Sequence, residues 1–145
     1  MAITYDKIAY DEIELALRST LSSEFKNVYI SNTFKMLGSE CIKINLESST
    51  SIEQATNYEE REYAVNIRYY FKADSSQELI NKAVKGKIDR LRKHLLDNQV
   101  NTDKNWSALI VNEITYNVEV EENEDETNLH IAEFEITITH FNHFT

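Results

Sequence analysis

Apolar and polar residues alternate with two different periods along this chain, and the changes of period mark out its elements. Over residues 6–24 the apolar side chains Tyr10, Ile13, Leu17 and Leu21 recur at spacings of three and four, the stripe of an amphipathic helix. Ser22, Ser23 and Asn27 punctuate its end. Two strand-like runs follow, residues 28–34 and 41–47, on either side of a turn containing Gly38. In the second, Ile42, Ile44 and Leu46 alternate with Lys43, Asn45 and Glu47, so one face is buried. A third strand spans residues 61–72, with Tyr63, Val65, Ile67, Tyr69 and Phe71 on one side.

Period two then gives way again to the helical period. Ser75 followed by Glu78 makes a capping box, a specific start signal for a helix. Ile80, Val84, Ile88, Leu91 and Leu95 continue as its apolar stripe. Residues 98–105 are polar, and Trp106 introduces a long hairpin. In its first arm the even positions from Ile110 are mostly apolar (Ile114, Tyr116, Val118, Val120); in its second, His130, Ala132, Phe134, Ile136 and Ile138. At roughly 3.4 Å per residue the arm 110–121 is about 40 Å long, close to the ~38 Å diameter of a compact chain of this size. Its tip therefore falls at or beyond the edge of the body. The order helix, three strands, helix, two strands predicts an α+β fold over residues 1–145. It is a two-layer, mainly antiparallel sheet of about five strands packed by two amphipathic helices.

Residues 48–61 have no clear period and read as a long loop. Such loops inside compact domains are usually functional, or ordered only on binding. Ile52, Glu53, Tyr58, Glu59, Glu60 and Arg61 are its candidate contact residues.

Charge alters the picture in two places. The chain carries 15 basic and 25 acidic side chains, a net charge of −10, which disfavours general duplex-DNA binding because that affinity comes from neutralising phosphates. The hairpin tip concentrates the excess: Glu119, Glu121, Glu122, Glu124, Asp125 and Glu126 place six carboxylates in eight residues. Neighbouring charges there lie within the ~8 Å Debye length and repel one another. Either they keep an exposed hairpin soluble, or they serve a partner or a surface that must repel something. The second helix has the opposite character, with Lys82, Lys85, Lys87, Arg90, Arg92 and Lys93 on its non-apolar faces. Glu78–Lys82 and Asp89–Lys93 fit i,i+4 pairs of an ordinary solvated face. The alternative is charge polarity, in which Lys82, Lys85, Arg90, Arg92 and Lys93 meet acidic groups of a neighbouring subunit. Gly86 within the same helix hints at close backbone approach.

Catalytic and cofactor chemistry finds no footing. Only Gly38 and Gly86 are available, too few for a phosphate loop, and no serine sits in a nucleophile elbow. His140 and His143, three apart on a strand, fall on opposite faces and make a poor metal pair. The acidic run lacks the ligand order of a calcium loop. Neither an enzyme nor a cofactor or metal is expected. Cys41, the single cysteine, reads as a buried inert thiol in a reducing compartment. No apolar run nears the ~20 residues of a membrane helix, and residues 1–7 lack a secretory signal.

The element order, with the segment over residues 63–79 in which a hydrophobic strand ends in Lys72-Ala73-Asp74 and runs into a capped helix, resembles the tail terminator (tail completion) proteins of tailed bacteriophages. The resemblance spans nearly the whole chain and rests on architecture. It implies a structural virion protein, made in the host cytoplasm. A ring, usually of six subunits, would cap the tail tube and join it to a neck or head-closure protein. DNA would pass through its lumen without specific binding, and no membrane would be involved. Lumens of that class tend to be acidic, a use for the tip; the loop at 48–61 would order on assembly. Two other readings stay open: a head-closure or other neck protein, and a small acidic binding module or nucleic-acid mimic.

Overall fold

The computed structural model describes residues 7–30, 40–73, 78–120 and 128–143. A π-helical segment, Ile8–Glu14, runs into α1, Leu15–Ser22. The strands are β1, Val28–Ile30; β2, Glu40–Gln54; β3, Tyr58–Ala73; β4, Trp106–Val120; and β5, Asn128–His143, with α2, Glu78–Asp97, between β3 and β4. They form one sheet in the order β1-β2-β3-β5-β4. Every pairing is antiparallel except β1 with β2, which run parallel. This is an α+β fold, and the helices lie on one face of the sheet.

The period-two patterns become that face. Ile42, Ile44, Val65, Ile67, Tyr69, Phe71, Ala132, Phe134, Ile136 and Ile138 are buried against Ile13, Leu17 and Leu21 from the first helix and Val84, Ile88, Leu91 and Leu95 from α2. Cys41 is fully buried. Tyr10, expected on the apolar stripe, is instead 48% exposed. The wider i→i+5 turn of the π-helical segment rotates it off the line of Ile13 and Leu17. That segment is held in place at Glu12. The indole Nε1–H of buried Trp106 donates to the Glu12 carbonyl oxygen at 2.7 Å, and Glu12 Oε2 lies 2.5 Å from Nε2 of His140, the cross-strand partner of Trp106.

The long loop expected over residues 48–61 is not a loop. β2 continues to Gln54 and β3 begins at Tyr58, so this stretch is a paired hairpin projecting beyond the core. Two bulges, between Leu46 and Ser48 and between Ser51 and Glu53, break the alternation from which a strand would have been read. The exposed residues beyond Leu46 carry no apolar face to reveal it. The same device corrects the first arm of the hairpin: bulges at Trp106/Ala108 and Val111/Glu113 turn Leu109 inward and leave Ile110 52% exposed. The first strand is described only for Val28–Ile30. Gly38, Asp74 and Ser75, with the expected capping box, lie outside the described residues, as does the side chain of Glu78.

No close approach explains Gly86, because a Cβ there would meet nothing within 4 Å. Gly86→Ala should therefore stabilise the fold by up to about 1 kcal/mol, read as a higher urea midpoint at unchanged m-value. A lower midpoint would mean that helix α2 needs the glycine.

Candidate functional site

Three charged or exposed surfaces emerge once the register is followed across the sheet. The first is α2. Lys82, Lys85, Arg90, Arg92 and Lys93 are all exposed, but they are not equivalent. Arg90 is committed within the chain: its Nη2 donates to the carbonyl oxygen (3.0 Å) and the carboxylate (3.2 Å) of Glu24, and its guanidinium lies 4.9 Å from the Phe25 ring centroid. Lys87 bridges to Glu40 at 3.1 Å. Burial tends to raise the Glu40 carboxyl, but hydrogen bonds from Tyr69 and Lys87 and the charges of Lys87 and Arg90 outweigh it, leaving the carboxyl below its ordinary value. Lys93 pairs with Asp97 at 3.5 Å and not with Asp89 as its spacing had promised. Lys82, Lys85 and Arg92 make no ion pair with a described residue, and they form the outward basic stripe.

The second surface is the β2–β3 arm, where Ile52, Glu53, Tyr58, Glu59, Glu60 and Arg61 come together. Arg61 holds Glu59 through Nε and Nη2 at 3.1 and 3.2 Å and reaches Ser49 Oγ at 2.9 Å. That hydrogen bond holds the Glu59 carboxyl below its usual range. The Tyr58 hydroxyl donates to Glu53 at 2.7 Å, and its ring stacks on Phe141 at 5.0 Å. Phe141 in turn packs on His143 at 4.8 Å. His143 thus joins an aromatic cluster at the arm's base, on the face opposite His140. The arm is preordered, and residues 46–62 carry five glutamates against one arginine.

The third surface went unread in the sequence: the helix-free face of the sheet. Register places Glu60 and Glu62 of β3, Glu135 of β5, Glu113 of β4 and Glu53 of β2 on this face, with Arg68 the first basic residue further down β3. Glu113 lies directly opposite Glu135, and both are exposed. Like charges in that relation destabilise a sheet. Glu133, nearer the middle, is tied by Asn66 Nδ2 at 2.7 Å and lies 3.7 Å from Arg68 Nε. The signal is present in the polar positions of β5, which alternate with the buried ones, but it is spread over four strands and no local run carries it. Of that tip, residues 121–127 lie outside the described residues. Glu119 is in β4, with its side chain undescribed.

One further feature lies beneath α2. His130 is 6% exposed, stacks on Phe71 at 5.5 Å, and its Nε2 has no hydrogen-bond partner. It faces a cavity of about 40 Å³ lined also by Val84, Lys85, Ile88, Tyr116, Asn117 and Ile131. Burial pushes its imidazole below the ordinary value of 6.5, so the unfolded chain takes up a proton more readily than the folded one. Stability should fall as pH drops through about 6.5 toward the lower folded value. His130→Phe should lessen that fall, measured by urea denaturation across pH 7 to 5 with Lys85 and Tyr116 unchanged. An identical pH slope in the variant would refute the assignment.

The fold and these surfaces define an α+β architecture whose helix-free sheet face is acidic over its outer half, with a basic helix on the other side. No family's sequence profile matches the chain, and no curated protein matches it in sequence. Among solved structures, it is similar to a chain in the virion of a native gene transfer agent (GTA) particle. That match has 13% identity and a TM-score of 0.48, and covers 92% of each chain.

Proposed function

We propose that this chain is a structural virion protein of the tail terminator kind, forming a ring that caps a tail tube and joins it to a neck or head-closure protein. DNA would pass through its lumen. The observation that carries this reading is the outer half of the helix-free sheet face, with Glu53, Glu60, Glu62, Glu113 and Glu135 and no basic side chain short of the row that holds Lys43 and Arg68. A wall of carboxylates repels a polyanion bearing one charge per ~1.7 Å, so DNA moves past without adhering. Retaining Glu113 opposite Glu135 against its cost fits a face selected for its field and not for stability. The helices would then lie outside. The basic stripe of α2 is available to acidic groups of a neighbour, which favours a head-to-tail ring. A hexamer is the favoured closure.

The same acidic face also suits a small binding module for a basic protein. That module would be a monomer whose binding falls steeply with salt. Light scattering separates the two, followed by negative-stain microscopy of any large species and of tubes mixed with the protein. Rings, free or seated at tube ends, are expected. A chain that stays monomeric alone and with tubes, yet binds basic proteins, would replace the ring by the module.

A further inference from the structure

Both edges of the sheet are open among the described residues. β1 covers β2 at Ile42, Lys43 and Ile44 and the Glu14 carboxylate takes the backbone N–H of Leu46, so among the described residues 47–54 of β2 have no strand on their outer side. Beyond Trp106, whose N–H and C=O bond to Asn101, β4 has no described strand on its outer side. Open edges are rows of unpaired N–H and C=O groups, and proteins that stay monomeric commonly blunt them with lysine or proline. Neither stretch contains a lysine, an arginine or a proline. Among the described residues the exposed large hydrophobic side chains include Tyr10, Ile52, Val100, Ile110 and Tyr116, and three of these lie on the two edge strands.

We infer that, in the ring, β4 of one copy pairs antiparallel with residues 47–54 of β2 in the next, so that the sheets join into one continuous wall. This rests on the ring reading and says how it closes. Three features converge on it. Direction is the first: β2 and β5 run one way and β3 and β4 the other. Copies repeated head-to-tail about an axis along the strands therefore bring β4 beside an oppositely directed β2, the more stable ladder.

Level is the second. Ile110, Thr137, Ala64 and Ser48 share one row across the sheet, so exposed Ile110 stands at the height of the open stretch of β2. Charge is the third. Lys85 shares a cavity wall with Tyr116 and Asn117 of β4, and Arg92, two turns on, lies on the same side of α2. These two cations stand beside the β4 edge on the helix side of the wall, and the incoming arm is acidic as a whole, with five glutamates against one arginine over residues 46–62. The attraction is between the net charges of the two edges and not between particular pairs. The pairing also keeps the glutamate-bearing faces of all copies on one side of the wall.

Hydrogen exchange read by mass spectrometry tests this on the full chain, comparing dilute monomer with assembled ring. Peptides covering residues 47–54 and 108–117 should exchange at least tenfold more slowly in the ring, while peptides from the middle of β3, already paired on both sides, should change little. Ile110→Lys, a surface change expected to leave the monomer's circular dichroism intact, should weaken assembly at least tenfold. Rings that form with both edges exchanging as in the monomer would overturn the edge pairing and leave the ring reading standing. Failure to find any ring, at any concentration or on tubes, would overturn both.

Discussion

Trp106→Ala should lower the melting temperature by roughly 10 °C or more. The side chain is 2% exposed, and truncating a buried aromatic of this size costs about 3–5 kcal/mol. A chain of this length loses a few degrees per kcal/mol. The loss is more than volume. Trp106 opens β4, and its Nε1–H is bonded to the Glu12 carbonyl oxygen, so the substitution also orphans that oxygen and releases the π-helical segment from the sheet. Trp106→Phe separates the contributions. It keeps most of the burial and deletes the hydrogen bond, and should cost about 1–2 kcal/mol. A Trp106→Ala protein within 3 °C of the wild type in a thermal melt would mean that the N-terminal segment is held by something other than this anchor.

Reversing the outward stripe of α2 should abolish assembly without touching the fold. Lys82→Glu, Lys85→Glu and Arg92→Glu change three exposed residues that bond to no described partner, so circular dichroism and the melting temperature should stay close to those of the wild type. Association should weaken roughly a hundred-fold, about 3 kcal/mol, because like charges brought together at an interface cost several kcal/mol. Raising salt should weaken wild-type association in the same direction. Arg90→Glu makes the contrast. It breaks the clamp on Glu24 and Phe25 and should lower stability before it affects assembly. If the triple variant assembles as well as the wild type, in sedimentation velocity over a concentration series, the basic stripe is an ordinary solvated face.

The sequence was most legible where one face of an element is buried and the other is wet. Tyr63 to Phe71, Ala132 to Ile138 and Val84 to Leu95 were read correctly because burial on one side leaves an uninterrupted period. It failed where the period is cut. Bulges hid the outer half of β2 and the true inward set of β4, and the π-helical turn displaced Tyr10. A bulge adds one residue without changing composition, so a single sequence gives no warning of it. The charged surfaces were half legible. The basic residues of α2 were found, but which of them are consumed within the chain, Arg90 and Lys87 above all, depends on Glu24 and Glu40, distant in sequence. The acidic sheet face is assembled from four strands by register alone. No local run announces it.

The central claim is that copies of this chain enclose a lumen walled by the glutamate-bearing sheet face. Electron microscopy of the assembled species, at a resolution that distinguishes helices from sheet, tests it most directly. A closed ring is expected, with the sheet inside, helix α2 outside, and Glu62, Glu113 and Glu135 facing the channel. A ring with its helices turned inward, or a compact particle with no channel, would contradict it.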